Sequence, residues 1–287
     1  MTPLEFDYLR RLLKERSGLV LSQDKQYLVE SRLMPVARRI GVDNLSTLVH
    51  NLKRQDAEPL IVDVVEAMMT NETFFFRDRI PFDHLRDTIV PALMQARAVQ
   101  KRMRIWCAAA SSGQEPYSLA MVLKDMSATL AGWRVDILAT DLSAEVLEKA
   151  KAGLYSQFEV QRGLPIQLLI KHFTQVGDCW QLSPEIRSMV QFRPFNLLND
   201  FGPLGTFDVV FCRNVLIYFD QDMKVVVLDR LARQIERDGY LVLGAAETVV
   251  GLTEQFKPYP DRRGLYMPNA KPMSAAAPRR AAAGGLR

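Results

Sequence analysis

Cysteine and histidine are both scarce in this chain. Its 287 residues include three of each, at Cys107, Cys179, Cys212, His50, His84 and His172. These positions are far apart in the sequence, and none has the spacing of a metal-binding pair. Free thiols in a reducing compartment are the simplest interpretation of so few cysteines. We therefore predict neither a disulfide framework nor a metal site.

Long apolar runs are also missing. No stretch approaches the roughly 20 consecutive apolar residues that a membrane-spanning helix requires. The first residues, MTPLEFDYLRRLLKE, lack the charged-then-apolar layout of a secretion signal. We therefore expect a cytoplasmic protein that reaches a membrane only through a partner.

The predicted folded part has no excess of either charge. Four basic residues and no acidic ones lie beyond Pro268, and they account for the whole formal net charge of +4. Bulk charge therefore gives no reason to expect nucleic-acid binding. Locally, residues 10–54 contain ten Lys or Arg against four acidic residues. Positive charge is thus concentrated in the N-terminal part.

The spacing of apolar residues changes once along the chain. Residues 1 to about 95 have helical spacing, for example at Val29, Leu33 and Val36. From Lys101 onward, apolar runs typical of strands alternate with helical ones. This alternation predicts an α/β fold with a doubly wound, parallel sheet. Ligands bind such sheets at the carboxyl ends of the strands.

These changes divide the chain into segments. We predict a helical domain at 1–70, a linker at 71–95, an α/β domain at 96–267 with a small subdomain inserted at about 160–192, and a disordered tail at 268–287. The insertion is predicted from a short polar hairpin near Gly177–Ser183. The tail is predicted from its Ala, Pro, Gly and Arg content, which has no periodicity.

Two acidic residues bear on the ligand of the α/β domain. Asp141 ends the second strand, where a carboxylate can accept hydrogen bonds from both ribose hydroxyls of an adenosine ligand. An N-cap role at the same turn is the alternative. The first loop, AAASSGQEP, lacks the G-x-G-x-x-G pattern of dinucleotide sites. Its Glu115 would repel a phosphate and suits a cation such as an α-amino group.

The segment NETFFFRD joins the two regions and is polar at both ends. Its three phenylalanines suit packing between domains, which is the commoner role of such a run. Asn71, Thr73 and Arg77 nevertheless lie close together. The guanidinium of Arg77 could bind a ligand carboxylate.

Four blocks of sequence stand out by their order and intervals. They are N-x-T-x-F-F-R from Asn71, AAASSGQEPYS from Ala108, ATDLSAEVLEKAKAGLY from Ala139 and FDVVFCRNVLIYF from Phe207. Together they resemble the CheR family of chemoreceptor glutamate methyltransferases, and the resemblance extends from about Asp7 to Met267. It implies a class I S-adenosylmethionine methyltransferase domain with a Rossmann-like sheet. It also implies an N-terminal helical domain that docks receptors and a small inserted antiparallel β subdomain.

The resemblance also implies which residues contact S-adenosylmethionine. These are Asn71, Thr73 and Arg77 from the linker, Glu115 at the amine, Asp141 at the ribose, Asn196 and Leu197 beside the adenine, and Arg213 and Asn214 after the fourth strand. Tyr218 would lie beside the transferred methyl group as the catalytic side chain. Packing of an aromatic ring at a strand end is the alternative for Tyr218.

The reactants define a simple chemical task. A sulfonium donor carries a methyl group that is already electrophilic. A glutamate side chain with a pKa near ~4.3 is already a nucleophile at neutral pH. No general base is therefore required, and the enzyme has to align the reacting atoms and exclude water. The hydroxyl of Tyr218 could orient the carboxylate.

Basic residues form a stripe on the second predicted helix. Lys25, Arg32 and Arg39 recur every seven residues, and Arg38 lies further round the helix. A chemoreceptor signalling domain is a long cytoplasmic coiled coil with clusters of Glu and Gln. These four residues are candidates for binding it, and a solvated charged face is the alternative. We expect no nucleic-acid partner and a monomeric protein.

Other functions share parts of this pattern. A methyltransferase for another substrate would have the same cofactor site, and a receptor-docking module could bind S-adenosylmethionine without turnover. A nicotinamide dehydrogenase is disfavoured because the phosphate loop is missing. Some family members hold a receptor's C-terminal pentapeptide with a Gly- and Arg-containing loop. The stretch FTQVGDCWQLSPEIRSMVQF lacks that loop, so we predict a pentapeptide-independent enzyme.

Overall fold

The computed structural model describes residues 1–269, so most of the predicted tail lies outside the described residues. The helices are α1 Pro3–Ser17, α2 Gln26–Arg39, α3 Leu45–Leu52, α4 Glu58–Met68, α5 Ile80–His84, α6 Val90–Ala96, α7 Gln114–Asp125, α8 Ala144–Ala152, α9 Gln157–Gln161, α10 Ile166–His172, α11 Pro184–Arg187 and α12 Gln221–Gln234. The strands are β1 Arg102–Ala108, β2 Arg134–Asp141, β3 Leu154–Ser156, β4 Phe173–Val176, β5 Cys179–Leu182, β6 Val190–Pro194, β7 Phe207–Cys212, β8 Ile235–Leu243, β9 Phe256–Pro258 and β10 Leu265–Pro268.

Helices α1 to α4 form a bundle around one apolar core. Helix α1 begins at a capping box, in which the side chains of Thr2 and Glu5 each accept a backbone N–H of the first turn. It ends at Gly18, whose φ of 77° is the left-handed conformation typical of a C-cap. The helices bury apolar side chains at helical spacing, including Leu9, Leu13, Leu33, Leu48 and Val64.

The main sheet has the order β6-β2-β1-β7-β8-β10-β9. The pairs β6–β2, β2–β1, β1–β7 and β7–β8 are parallel, whereas β8–β10 and β10–β9 are antiparallel. The order reverses direction at β1, so helices cover both faces and the carboxyl ends of β1, β2 and β7 lie side by side. The predicted doubly wound α/β fold is confirmed.

Side chains of the central strands alternate between two separate cores. Ile105 and Cys107 of β1 pack on the face covered by α7, whereas Trp106 and Ala108 pack on the other face with α12. The indole of Trp106 is fully buried, and its Nε1–H donates to the Thr140 hydroxyl of β2 at 2.9 Å. Both faces of the sheet are therefore apolar, as continuous apolar strands predict.

A second, small sheet has the order β3-β5-β4 and is antiparallel. Its β4–β5 hairpin turns at Gly177, with a φ of 59°. The sheet begins with Leu154–Ser156, before the predicted start near 160. The predicted end near 192 also includes the first residues of β6, which belongs to the main sheet. The difference arises because β3 is too short to give an alternating pattern in the sequence.

The segment between the bundle and the main sheet packs against aromatic rings of the small sheet. The Phe75 ring lies 5.0 Å from Tyr155 and 5.7 Å from Phe173, edge to face in both pairs. The chain then continues through α5 and a π-helical turn at Leu85–Ile89 into α6. Over residues 1–269, no helix is both long and apolar enough to cross a membrane.

Leu33 and Leu4 allow one substitution to be compared at a buried and an exposed position. Leu33 is fully buried in the bundle, whereas Leu4 is 81% exposed on α1. We expect Leu33→Ala to lower the free energy of unfolding by about 2–5 kcal/mol, because it removes buried contacts and leaves a cavity. Leu4→Ala should change it by less than about 0.5 kcal/mol. Urea unfolding followed by circular dichroism measures both, and equal effects would contradict the described core.

Candidate functional site

A cavity opens where the carboxyl ends of β1, β2 and β7 face the helical bundle, and it includes about 980 Å³ of space between atoms, part of which is open to solvent. Ten residues singled out in the sequence line it, namely Asn71, Thr73, Arg77, Glu115, Asp141, Asn196, Leu197, Arg213, Asn214 and Tyr218. They come from five separate stretches of the chain. The fold therefore brings together what the sequence leaves far apart.

The loop after β1 forms the floor of the cavity. Ala109 and Ser111 adopt left-handed φ values of 59° and 50°, which are uncommon for residues with a side chain. The Ser111 hydroxyl donates to the Asn71 carbonyl at 2.8 Å, and its backbone N–H donates to Asp141. These contacts join the loop to the linker on one side and to β2 on the other. Small side chains keep the backbone accessible from the cavity.

Asp141 is a buried carboxylate that keeps part of its hydrogen-bonding capacity free. Its Oδ2 accepts the Ser111 N–H at 2.8 Å, and its Oδ1 accepts the Ser143 N–H at 3.0 Å. Burial raises the pKa of Asp141, and the backbone N–H groups of Ser143, Ser111 and Leu142 oppose that effect. A carboxylate offers about four acceptor positions, so each oxygen can accept a further hydroxyl. The geometry suits a vicinal diol.

Arg213 is the most enclosed charge of the site. Its side chain is 1% exposed, and its Nη1 donates to Glu115 Oε2 at 2.5 Å. Its Nη2 donates to Asp78 Oδ2 at 2.7 Å and to the Arg77 carbonyl at 3.0 Å. Burial raises the pKa of Glu115, whereas the adjacent guanidinium lowers it. Glu115 Oε1 is left to accept a cationic ligand group.

Two guanidinium groups pack on the Phe74 ring and hold the linker in place. The Arg162 guanidinium lies 4.4 Å from the centroid of the Phe74 ring, and that of Arg77 lies 5.6 Å from it. Arg162 also donates to Glu72 Oε1 at 2.5 Å. The Arg77 Nη1 donates to the Glu72 carbonyl at 3.0 Å. Arg77 thus lines the cavity with one of its guanidinium nitrogens bound to the linker's own backbone.

The helical bundle supplies the opposite wall. Ser17 and Leu19 line the cavity from the end of α1. The Asn196 amide donates to the Arg16 carbonyl at 2.7 Å, and its oxygen accepts the Leu198 N–H at 2.9 Å. The amide nitrogen and the amide oxygen of Asn196 are therefore both hydrogen-bonded within the protein, and the side of this side chain lines the cavity. Further apolar walls come from Leu142, Phe195, Leu197 and Phe219.

Tyr218 ends the short 3₁₀ turn Leu216–Tyr218 that follows β7. Its carbonyl accepts the Val20 N–H at 3.0 Å, which fixes the turn against the bundle. The ring is partly buried and packs on the bundle core. Its hydroxyl forms no hydrogen bond to any group within residues 1–269. It is therefore available to a ligand in the cavity.

The four basic residues of the predicted stripe lie outside the cavity. Three of them are on α2, and Lys25 immediately precedes that helix. The Arg32 guanidinium donates to the carbonyls of Met68 and Met69 at 2.7 and 3.0 Å, where it caps the end of α4. Arg39 pairs with Asp63 at 2.7 Å, and Lys25 lies 3.8 Å from Asp24. Arg38 is exposed.

Several residues of the site were missed in the sequence. Asp78 follows the predicted motif directly, and its pairing with Arg213 could have been suspected from that position alone. Ser17 and Leu19 gave no signal, because they resemble an ordinary helix end. Glu247 was also missed, although its carboxylate accepts the backbone N–H of Asn214.

The cavity combines features that suit one kind of ligand. It offers an anionic acceptor for a cation at Glu115 and an acceptor for a diol at Asp141. Apolar walls at Leu142, Phe195 and Leu197 suit a flat ring. An amino acid joined to a nucleoside has these three parts.

Comparisons with known proteins agree over nearly the whole described chain. Residues 4–69 match the family described as CheR methyltransferase, all-alpha domain, and residues 71–265 match CheR methyltransferase, SAM binding domain. The chain is 41% identical over 258 residues to the chemotaxis protein methyltransferase Cher2 of Pseudomonas putida, covering 88% of this chain and 94% of that protein. It is 43% identical over 257 residues to chemotaxis protein methyltransferase 1 of Pseudomonas aeruginosa, covering 88% and 93%. For chemotaxis protein methyltransferase 1 of Vibrio cholerae, the identity is 42% over 251 residues, covering 86% and 90%.

A double-mutant cycle tests the buried ion pair of the site. Arg213→Met alone leaves Glu115 buried without its partner, and Glu115→Gln alone leaves the buried guanidinium with Asp78 as its remaining carboxylate partner. The two losses should not add, and we expect a coupling energy of about 0.5–3 kcal/mol. Urea unfolding of the four proteins measures it. The exposed pair Lys151 and Glu148 serves as the matched control and should give a much smaller coupling. Additive effects at Arg213 and Glu115 would contradict the pairing.

Proposed function

The chain belongs to the CheR methyltransferase family, and we propose that it transfers methyl groups from S-adenosylmethionine to glutamate side chains of chemoreceptors. Its cofactor and its reaction class follow from the family. The observation that supports the substrate is the cavity, which has groups suited to the donor. Among the described residues that line it, the carboxylates Glu115 and Asp141 are bound by Arg213 and by backbone N–H groups rather than free to act as a general base. The acceptor must therefore be a nucleophile without help, as a carboxylate is at neutral pH.

The donor fits the residues that line the cavity. Glu115 and Arg77 would bind the amine and the carboxylate of its methionine part, and Asp141 would accept hydrogen bonds from its ribose. Leu142, Phe195 and Leu197 would enclose its adenine. When bound, the donor supplies a methyl group on a positively charged sulfur.

Alignment and exclusion of water are the tasks that remain for the protein. Tyr218 would donate from its hydroxyl to one oxygen of the incoming glutamate and leave the other oxygen to attack. The aromatic ring and the neighbouring apolar wall would keep water from that oxygen. An oriented carboxylate in a dry site reacts faster than a free one, because its position is fixed before the reaction.

The receptor is proposed to dock on the bundle. Arg32, Arg38 and Arg39 lie on α2, and Lys25 immediately precedes it. The positive charge of these four residues complements a coiled coil rich in glutamate. Arg38 is the most available of them. Arg32 contributes less directly, since its guanidinium already caps α4. A docked receptor helix would exchange the exposed pairing of Arg39 with Asp63 for contacts of its own.

Tethering through a receptor's C-terminal pentapeptide is not part of the proposal. The β4–β5 connection in the inserted sheet consists of Gly177 and Asp178 alone. A two-residue turn leaves no loop that could close over a peptide. We therefore propose that the coiled coil itself supplies the affinity.

Transfer of labelled methyl groups tests the proposed function. The chain is incubated with radiolabelled S-adenosylmethionine and a chemoreceptor cytoplasmic fragment, and the product is treated with mild base. We expect label that mild base releases, because methyl esters hydrolyse readily. A receptor with Glu→Ala at its methylation sites is the control and should remain unlabelled. Base-stable label would place the methyl group on nitrogen. No label with any receptor, despite tight cofactor binding, would favour a docking module without turnover.

Asp141→Asn tests the ribose contact separately from turnover. An asparagine places an N–H₂ group against the backbone donors of Ser111 or Ser143 and removes the charge that strengthens both bonds. We expect the Kd of S-adenosylhomocysteine to rise about 10- to 100-fold, which corresponds to about 1.4–2.8 kcal/mol. Isothermal titration calorimetry measures it. Asp178→Asn, at the exposed hairpin turn, is the matched control. An unchanged Kd for Asp141→Asn would contradict the assignment.

A further inference from the structure

A carboxylate outside the cavity holds the turn that carries Asn214 and Tyr218. Glu247 follows β8 and is 9% exposed. Its Oε1 accepts the N–H groups of Val215 at 2.9 Å and Leu216 at 2.8 Å. Its Oε2 accepts those of Asn214 and Gly244, both at 2.8 Å. One side chain therefore satisfies four backbone donors.

Three of these donors are consecutive residues after β7. Consecutive N–H groups that point to one side form a concave binding place for an anion. Asn214 is the first of the three and has a left-handed φ of 59°. Such a conformation persists in a residue with a side chain only when its surroundings enforce it. The Glu247 carboxylate is the group that does so.

The space around the carboxylate is closed on the side of β8. A Cβ added at Gly244 would lie 2.7 Å from Glu247 Oε2 and 3.0 Å from the Asn214 nitrogen. Both distances are shorter than ordinary contacts. The glycine therefore allows the carboxylate to reach all four donors at once.

We propose that Glu247 is a positioning residue for methyl transfer. It fixes the backbone of residues 214–216. The 3₁₀ turn Leu216–Tyr218 then determines where the Tyr218 hydroxyl lies. Tyr218 is linked to this backbone directly, since its N–H donates to the Val215 carbonyl at 3.1 Å. Glu247 itself does not line the cavity. The proposal rests on the proposed function, because Tyr218 is assigned to the methyl acceptor there.

Glu247→Gln is the variant that removes the charge and keeps the size. A glutamine offers one acceptor oxygen and places an N–H₂ group against two of the four donors. The turn should then lose its single conformation. Since a misplacement of about 1 Å can cost about 100-fold in rate, we expect kcat to fall about 10- to 100-fold. The Kd of S-adenosylhomocysteine should change less than kcat, because Asp141 and Glu115 are untouched and the disturbance reaches the cofactor only through Asn214.

Two readouts separate positioning from general damage. The first is kcat for each site that binds S-adenosylhomocysteine, since mere unfolding lowers the number of sites and leaves kcat per site unchanged. The second is the ¹⁹F spectrum of protein that contains 3-fluorotyrosine, with the Tyr218 signal assigned through Tyr218→Phe. We expect Glu247→Gln to shift or broaden that signal and to leave those of the other seven tyrosines in place.

Gly244→Ala is a second variant that acts without a change of charge. Its Cβ would push the carboxylate away from the turn, so it should reproduce both effects. Glu145→Gln, on the exposed first turn of α8, is the control and should change neither readout. An unmoved Tyr218 signal, or wild-type kcat per site, in both variants would overturn the proposal. The spectrum decides the role of Glu247 even if the wild-type chain methylates no receptor, an outcome that would instead refute the proposed function.

Discussion

The site depends on one buried guanidinium. Arg213 lies at the end of β7 and joins three parts of the chain, since it donates to Glu115 at the start of α7 and to Asp78 and the Arg77 carbonyl in the linker. A charge that is 1% exposed is tolerable only with such partners. Removing it would leave two carboxylates without their counter-charge. The linker would then lose its ionic attachment to the end of β7, and the cavity would lose one of its lining side chains.

Residues with strained backbone conformations are concentrated near this ion pair. Among residues 1–269, six of the eight non-glycine residues with positive φ belong to segments that border the cavity. They are Phe76, Asp78, Arg79, Ala109, Ser111 and Asn214. Each such residue costs about 1–3 kcal/mol and needs compensation from its surroundings. The compensation comes from polar contacts, with Asp141 holding Ser111 and Glu247 holding Asn214. The same bonds that relieve the strain determine where the cavity's side chains point.

The alternation of strands and helices predicted the α/β fold, and local motifs together with the resemblance to the CheR family supplied the ten residues that line the cavity. Asp141 and Glu115 each follow a strand, so a parallel sheet must bring them to one edge. Contacts between distant stretches were harder. Glu247 lies 33 residues from Asn214 and has no spacing that points to it. Arg32 shared the periodicity of a surface stripe, yet its guanidinium binds the end of α4. Periodicity gives the face of a helix, and it does not give the partner of a long side chain.

The bundle wall of the cavity has a thermodynamic consequence. Ser17 and Leu19 belong to the same bundle as the basic helix α2, and the Tyr218 carbonyl is bonded to Val20 beside them. A ligand that contacts both this wall and Asp141 adds its own contacts to those between the bundle and the sheet. Any partner that shifts the bundle therefore changes the affinity of the cavity for its ligand. By reciprocity, a filled cavity changes the affinity of the bundle for that partner by the same factor.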